Sequence, residues 1–276
     1  RSVSLGASPV DLAPILRERL FERVGSVICT SATLATTTHA GPSFHFAKNR
    51  LGSHADAEEL VVASPFDFAA RAAFYVAEDM PEPSMPDFEQ ACAARARQLA
   101  EITGGGAFVL CTSNRAMRAS YNSLAAAPGK HGPILVQGEA PKHVLLDRFR
   151  AAGDAILVAM MSFWEGVDVP GHALRLVVID KIPFAVPTEP VVAARSAKIE
   201  TEGGNPFTQY AVPAAAITLK QGFGRLIRTR QDAGIVALLD RRAVKRGYGR
   251  HLLDSLPPAR RVKTIEDARD FWQSLD

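Results

Sequence analysis

The strongest constraint on this chain's fold is a series of short runs that are apolar at almost every position. They are VGSVICT (24–30), GAFVLCT (106–112), PILVQG (133–138), AILVAMM (155–161), LRLVVID (174–180) and AGIVALLD (233–240). A strand with one face in water alternates polar and apolar residues, and these runs do not. Runs that are apolar on both faces belong in a parallel sheet covered on both sides by helices. Between them lie segments with apolar residues three and four apart: NRAMRASYNSLAAA (114–127), KHVLLDRFRAAG (142–153) and AAAITLKQGFGRLIRT (214–229). The alternation predicts a doubly wound α/β domain, a parallel sheet flanked by helices. In such a sheet the working side chains stand just past the carboxyl ends of the strands. Residues 37–59 carry little periodicity and read as an irregular excursion, as does the proline-rich MPEPSMP (80–86).

Composition narrows the classes further. The 276 residues are 47% hydrophobic and 22% charged, values of an ordinary globular protein. No apolar run is long enough to span a bilayer as a helix, and no membrane partner is expected. The amino terminus, RSVSLGASPV, has neither an initiator Met nor a signal-peptide core and reads as the middle of a longer chain. Cys29, Cys92 and Cys111 have no metal-ligand spacing, and a reducing, cytoplasmic compartment is expected. The net charge of +3 does not by itself imply nucleic acid. The charge is uneven, however: between Lys220 and Lys263, ten arginines and lysines are opposed only by Asp232, Asp240 and Asp254. Such a segment is either a solvated face or a phosphate-binding one.

Polar residues follow three of the apolar runs. Ser31 and Thr33 follow VICT, Ser113, Asn114 and Arg115 follow FVLCT with its terminal Thr112, and Ser162 opens SFWEGVDVPG after AILVAMM. Each cluster can cap a helix or build a turn. The third also places Glu165 and Asp168 about Gly166, where two carboxylates can orient arginines or a metal or simply form a solvated loop. A fourth stretch, QGFGRLIRTR, fits the pattern Q-x-x-G-R-x-x-R through Gln221, Gly224, Arg225 and Arg228. On a continuous helix Arg225 and Arg228 would share one face. Arginine keeps its charge and binds phosphate bidentately. Gly224 would let a ligand or another backbone come close. The bland alternative is a surface helix whose arginines lie over Phe223 and Ile227. No G-x-x-x-x-G-K-[ST] loop and no acidic D-E-x-H box occurs.

Four stretches, in order along nearly the whole chain, resemble the C-terminal part of the DinG-type, XPD-related superfamily 2 DNA helicases, nearest to their YoaA-like bacterial members. VICTSATL (27–34) resembles motif III. ASPFDFAARAAFYVAEDMPEP (63–83) resembles the opening of the second motor domain. SFWEGVDVPG (162–171) with LVVIDKIPFAVPTEPV (176–191) resembles motif V and its sequel. ITLKQGFGRLIRTRQDAGIVALLDRR (217–242) resembles motif VI and the strand after it. The resemblance implies a RecA-like domain 2 over residues 60–276, with residues 1–59 as a remnant of the first RecA-like domain.

The resemblance also implies roles. Arg228 would be the arginine finger, Arg225 a second phosphate contact and Gln221 a polar partner near the γ-phosphate. Gly224 and the motif V residues Glu165, Gly166 and Asp168 would serve ATP binding and coupling. Ser31, Thr33, Thr112, Ser113, Asn114, Arg115 and Ser162 would meet DNA, mostly at its phosphates. Family members move 5′ to 3′ on single-stranded DNA in repair or replication. ATP and Mg²⁺ would be held with an upstream first helicase domain, and many members carry a 4Fe-4S cluster in that first half. The phosphate loop, the Mg²⁺ box and the cluster cysteines are absent from this sequence, so the chain alone is expected to be inactive. Its 5–34 stretch, lacking its sheet, is expected to be poorly packed. Two rival readings need less of the resemblance: a non-enzymatic single-strand-binding or regulatory half-motor of the same fold, and a dinucleotide enzyme using GFGRLI. The second would need a strand ahead of the glycines, where the pattern is helical.

Overall fold

The computed structural model describes residues 6–275, apart from 39–40, 127–128, 130, 165, 168 and 170. Among the described residues the elements run α1 (Ala13–Leu16), β1 (Thr36–Thr38), β2 (Gly41–Ser43), α2 (His45–Leu51), α3 (Phe68–Arg71), β3 (Ala72–Val76), α4 (Phe88–Thr103), β4 (Ala107–Cys111), α5 (Asn114–Ala125), β5 (Ile134–Val136), α6 (Lys142–Ala152), β6 (Ile156–Met160), β7 (Leu176–Ile179), α7 (Pro190–Thr201), α8 (Val212–Phe223), β8 (Gly234–Leu238), α9 (Arg242–Lys245), α10 (Gly249–Asp254), β9 (Arg260–Val262) and α11 (Ile265–Gln273). The chain divides into two compact units. One holds residues 1–63 with 184–217; the other holds 64–183 with 218–276. The division falls four residues after the boundary drawn from sequence at 59/60, and it groups 184–217 with the amino-terminal residues.

The larger unit is built on a seven-stranded sheet in the order β5-β6-β4-β7-β8-β3-β9, parallel at every pairing. Five of the six apolar runs supply strands here, and β3, β4, β7 and β8 are buried at every position. Alternate residues face opposite layers. Tyr75, Val109, Val158, Val178 and Ala237 face a layer formed by α4, α5 and α11, whose Phe88, Leu99, Leu124 and Phe271 complete that core. On the other face Phe108 meets Phe149 of α6 edge-on at 4.5 Å, and Phe74 and Phe68 each lie 5.9 Å from Phe223 of α8. The α4–β4 connection can be short because Gly105 takes a φ of +82° and lies so close to the Asp154 carbonyl that a Cβ would sit 1.9 Å from its oxygen.

The smaller unit has little buried interior. β1 and β2 form an antiparallel hairpin, so the 37–59 stretch read as irregular holds most of a hairpin and then α2. None of α1, α2 or α7 buries a residue completely. Its ties are few and mostly polar, and they join distant parts of the sequence. Arg195 donates to the Val10 carbonyl at 3.0 Å and the Tyr210 hydroxyl at 3.2 Å, Arg17 donates to the Gly52 carbonyl, and Arg50 lies 5.7 Å over the Tyr210 ring. The strand expected at 24–30 does not form: the segment is open chain, with Ile28 85% exposed and Val24 and Cys29 exposed beside it. An apolar run becomes a strand only where a neighbour accepts its backbone hydrogen bonds, and no strand among the described residues pairs with this one. Leu60, Val61 and Val62 are exposed as well. The poor packing expected of 5–34 is present over its described residues.

Candidate functional site

The expected nucleic-acid residues of the larger unit gather at one end of the sheet. Thr112 follows β4 directly. Its N–H lies 3.1 Å from both oxygens of Asp180 and its hydroxyl 3.2 Å from one of them. Asp180 follows β7, is 3% exposed, and also accepts the Lys181 N–H at 2.7 Å. Burial pushes its carboxyl up to about 6 against the pull of these donors. Ser113 caps α5 by accepting the Ala116 N–H at 3.1 Å. Asn114 and Arg115 open that helix, both exposed. Arg115 is 81% exposed, and its guanidinium rests 2.9 Å from Glu89. Ser162 lies exposed in the 3₁₀ turn Met161–Trp164 after β6, the strand beside β4. Phe163, Val167 and Val169 are buried while Gly166 stays exposed, so the motif is anchored by alternate apolar residues. Glu165 and Asp168 lie outside the described residues. Ser31 and Thr33 belong to the smaller unit, where their hydroxyls are 3.1 Å apart and the Ser31 oxygen accepts the Thr33 N–H, forming a local turn.

The arginines lie at the other end of the sheet. A parallel sheet returns each connecting helix to the amino ends of its strands, so α8 runs down from β7 and its end leads into the start of β8. The strands between these two ends are five residues long or nearly so, about 16 Å. The helix read as continuous to Thr229 stops at Phe223. Gly222 and Gly224 weaken it there, and Phe223 is anchored between Phe68 and Phe74. Arg225 and Arg228 therefore do not share a helical face. They belong to a loop that turns through Arg225 N–H to Gly222 O and Leu226 N–H to Phe223 O. Gln221 stands exposed in the last turn of α8.

The loop is well anchored. Leu226 and Ile227 are buried, while Arg225 and Arg228 are each partly exposed. Phe223 and Ile227, proposed as the apolar bed of a surface helix, are instead core residues. Asp232, 5% exposed, accepts the Arg228 N–H at 2.7 Å, the Thr229 N–H at 2.8 Å and the Thr229 hydroxyl at 2.8 Å. Beyond it Gly234 presses on the Arg175 carbonyl, where a Cβ would sit 2.3 Å from the oxygen. Gly224 is different: a Cβ there would meet only ordinary contacts of the preceding turn, so no other part of the chain crowds it.

Sequence reasoning gave the buried carboxylates Asp180, Asp232 and Asp240 no role in holding the strand ends. Asp240 follows β8, is 0% exposed, and accepts from Arg242 and from the Ile182 N–H. Their one signal was position, since each is a lone acid flanking an apolar run. Much of the basic segment is likewise engaged in the fold. Arg241 donates to the Met80 carbonyl, Arg242 binds Asp240, and Arg250 and Arg261 lie 3.5 and 3.6 Å from Asp254. The cysteines do not fit an iron–sulfur cluster. Burial pushes the Cys111 thiol up to about 12 and raises that of Cys92 as well, leaving exposed Cys29 where a cluster takes four thiolates.

Known proteins resemble this chain in sequence and in fold. The helicase C-terminal domain family matches residues 96–259, more than half of the chain. The chain is 41% identical over 271 residues to the ATP-dependent DNA helicase YoaA of Escherichia coli K12, covering 98% of this chain and 42% of that protein. It is 37% identical over 280 residues to the ATP-dependent helicase DinG of Mycobacterium tuberculosis H37Ra, covering 99% and 39%. The chain thus spans about two-fifths of the length of these relatives. The solved structure of XPD in its apo form superposes with a TM-score of 0.55 at 18% identity, over 71% of this chain and 40% of that one. The matched fold is that of a RecA-like helicase domain, which the seven-stranded parallel sheet with helices on both faces fits, and the chain belongs to the helicase C-terminal domain family.

Proposed function

We propose that this chain is the second motor domain of an ATP-dependent DNA helicase, coupling ATP hydrolysis to 5′-to-3′ movement on single-stranded DNA in repair or replication. Residues 1–59 would be the last part of its first motor domain, and that upstream domain would hold the ATP phosphates and Mg²⁺. The observation that carries this reading is the Arg225–Arg228 loop. Two partly exposed arginines bracket the buried apolar anchors Leu226 and Ile227, on a backbone fixed by a buried carboxylate. Such a loop suits a task in which position matters more than reach. Arg228 would stabilise charge developing on the transferred phosphoryl group, with Arg225 as a second phosphate contact and Gln221 orienting polar groups nearby. Removing such an arginine costs about 10³ to 10⁵ in rate.

Thr112, Ser113, Asn114, Arg115 and Ser162 would meet the DNA backbone at the opposite end of the sheet; Ser31 and Thr33, in the smaller unit, would be DNA contacts of their own. The partners are then single-stranded DNA, ATP and the upstream domain. The test is DNA-stimulated ATP hydrolysis by the longer protein that contains this chain, with and without Arg228→Ala. The variant should lose turnover by at least about 10³ while keeping its affinity for single-stranded DNA. Turnover equal to the unaltered protein would remove Arg228 from the reaction. If neither form hydrolyses ATP, a single-strand-binding module becomes the better reading.

A further inference from the structure

We propose that Asp232 is a positioning residue for Arg228, an inference that rests on the arginine's proposed role at the γ-phosphate. The Asp232 carboxylate closes a small ring around the loop. One oxygen accepts the N–H groups of Arg228 and Thr229 at 2.7 and 2.8 Å, and the other accepts the Thr229 hydroxyl at 2.8 Å. The same hydroxyl receives the Gln231 N–H at 3.3 Å, and the Asp232 N–H reaches the Thr229 carbonyl at 3.4 Å. Both carboxylate oxygens and the N–H of Asp232 are thus directed at the two residues that set where the Arg228 side chain begins.

The clamp is also rooted. Asp232 is 5% exposed and stands two residues before β8, a strand buried at every position. Gly234 is pressed against the Arg175 carbonyl, so the start of β8 cannot shift without moving the neighbouring strand. A loop with two glycines at its start, Gly222 and Gly224, would otherwise sample many backbone states. The carboxylate replaces that freedom with one conformation. A catalytic group that must meet a transferring phosphoryl loses about 100-fold in rate for a misplacement of about 1 Å. The geometry suits an acid best: a carboxylate has two acceptor oxygens, each with spare lone pairs, and takes three donors from adjacent residues at once.

The experiment is a double-mutant cycle in the longer protein, reading kcat, KM for ATP, affinity for single-stranded DNA and the thermal midpoint. Asp232→Ala should lower kcat about 100-fold while leaving KM and DNA affinity within about twofold. Asp232→Asn keeps one oxygen for the two N–H groups and offers its amide to the Thr229 hydroxyl, so it should restore kcat to within about tenfold of the original. In an Arg228→Ala background, Asp232→Ala should lower turnover no further, because the group it positions is gone. If Arg228→Ala abolishes turnover but Asp232→Ala does not lower it, or lowers it equally in both backgrounds, the positioning role is overturned and the arginine's role stands. If Arg228→Ala leaves turnover intact, both readings fall. Should Asp232→Ala fail to fold, Thr229→Val removes only the hydroxyl arm. A several-fold loss of kcat at unchanged DNA affinity then supports the clamp, and an unchanged kcat overturns it.

Discussion

Replacing Arg242 with alanine tests how the strand ends are held. Asp240 is fully buried at the carboxyl end of β8. Arg242 supplies its Nη2–H at 2.6 Å, its Nε–H at 2.9 and 3.1 Å, and its backbone N–H at 3.0 Å; the Ile182 N–H adds one more at 3.0 Å. The partners differ in burial: the Arg242 side chain keeps 25% of its exposure and the Asp240 side chain none. Arg242→Ala removes three of the five contacts and the only bound positive charge, leaving a buried carboxylate on two backbone N–H groups. Breaking a buried pair from one side costs about 3–5 kcal/mol. The quarter-exposed position of the guanidinium lets water enter the space, so about 3 kcal/mol is expected. For an m of about 3 kcal/mol/M, the urea midpoint of the larger unit should fall by about 1 M. A shift under about 0.3 M would equal an exposed ion pair and refute the argument that Asp240 depends on Arg242. The same substitution in an Asp240→Asn background should cost less than about 1 kcal/mol, because no buried charge is then stranded.

Two further outcomes concern the proposed DNA end. Arg115→Ala in the longer protein should flatten the dependence of log K on log salt by about 0.7, one phosphate contact on single-stranded DNA, and Glu89→Gln should raise affinity by removing the carboxylate that Arg115 now meets; an unchanged slope would take Arg115 off the DNA path. Asp180 predicts a pH effect. Its carboxyl is raised from 3.8 to about 6, so the folded state holds the proton more tightly than the unfolded chain does. The stability it contributes is full below about pH 4 and is lost as pH rises through about 6, a change of about 3 kcal/mol. Asp180→Asn should lack that change, so its stability relative to the unaltered chain should improve by this amount between pH 4 and pH 8. A difference that does not vary with pH would refute the assignment.

How much of this was legible in the sequence depended on whether a residue's role is local. The interior strands β4, β6, β7 and β8 were readable because both their faces are buried, which leaves an unbroken apolar run. β3, equally buried, was not read as a strand, and neither was the edge strand β9. Its Arg260 and Arg261 are partly or fully exposed, and charge at an edge protects it from pairing with other chains. Residues 24–30 show the reverse error, for they have strand composition and no partner strand. The helix was drawn too long because Phe223 and Ile227 keep helical spacing while being buried by a turn. The strand-end hydroxyls and the two arginines were visible as residue types in a pattern. The acids that hold them were not: Asp180 lies 68 positions from Thr112, which only the sheet brings near, and Asp232, though only four positions from Arg228, meets its N–H only because the helix stops at Phe223 and the chain turns.

Strand β8 has a buried acid at each end: Asp232 before it grips the arginine loop, and Asp240 after it grips the loop that leaves β7. A fully buried strand bonded to a parallel neighbour on either side is stiff along its axis. If phosphate meets one end and DNA meets the other, the two ligands are joined by thermodynamic reciprocity. Whatever factor nucleotide imposes on the affinity for DNA, DNA must impose on the affinity for nucleotide. A substitution in the middle of β8 that touches neither ligand, such as one at Val236, and that weakens the coupling would then weaken it by one common factor whether it is read as nucleotide's effect on DNA affinity or as DNA's effect on nucleotide affinity.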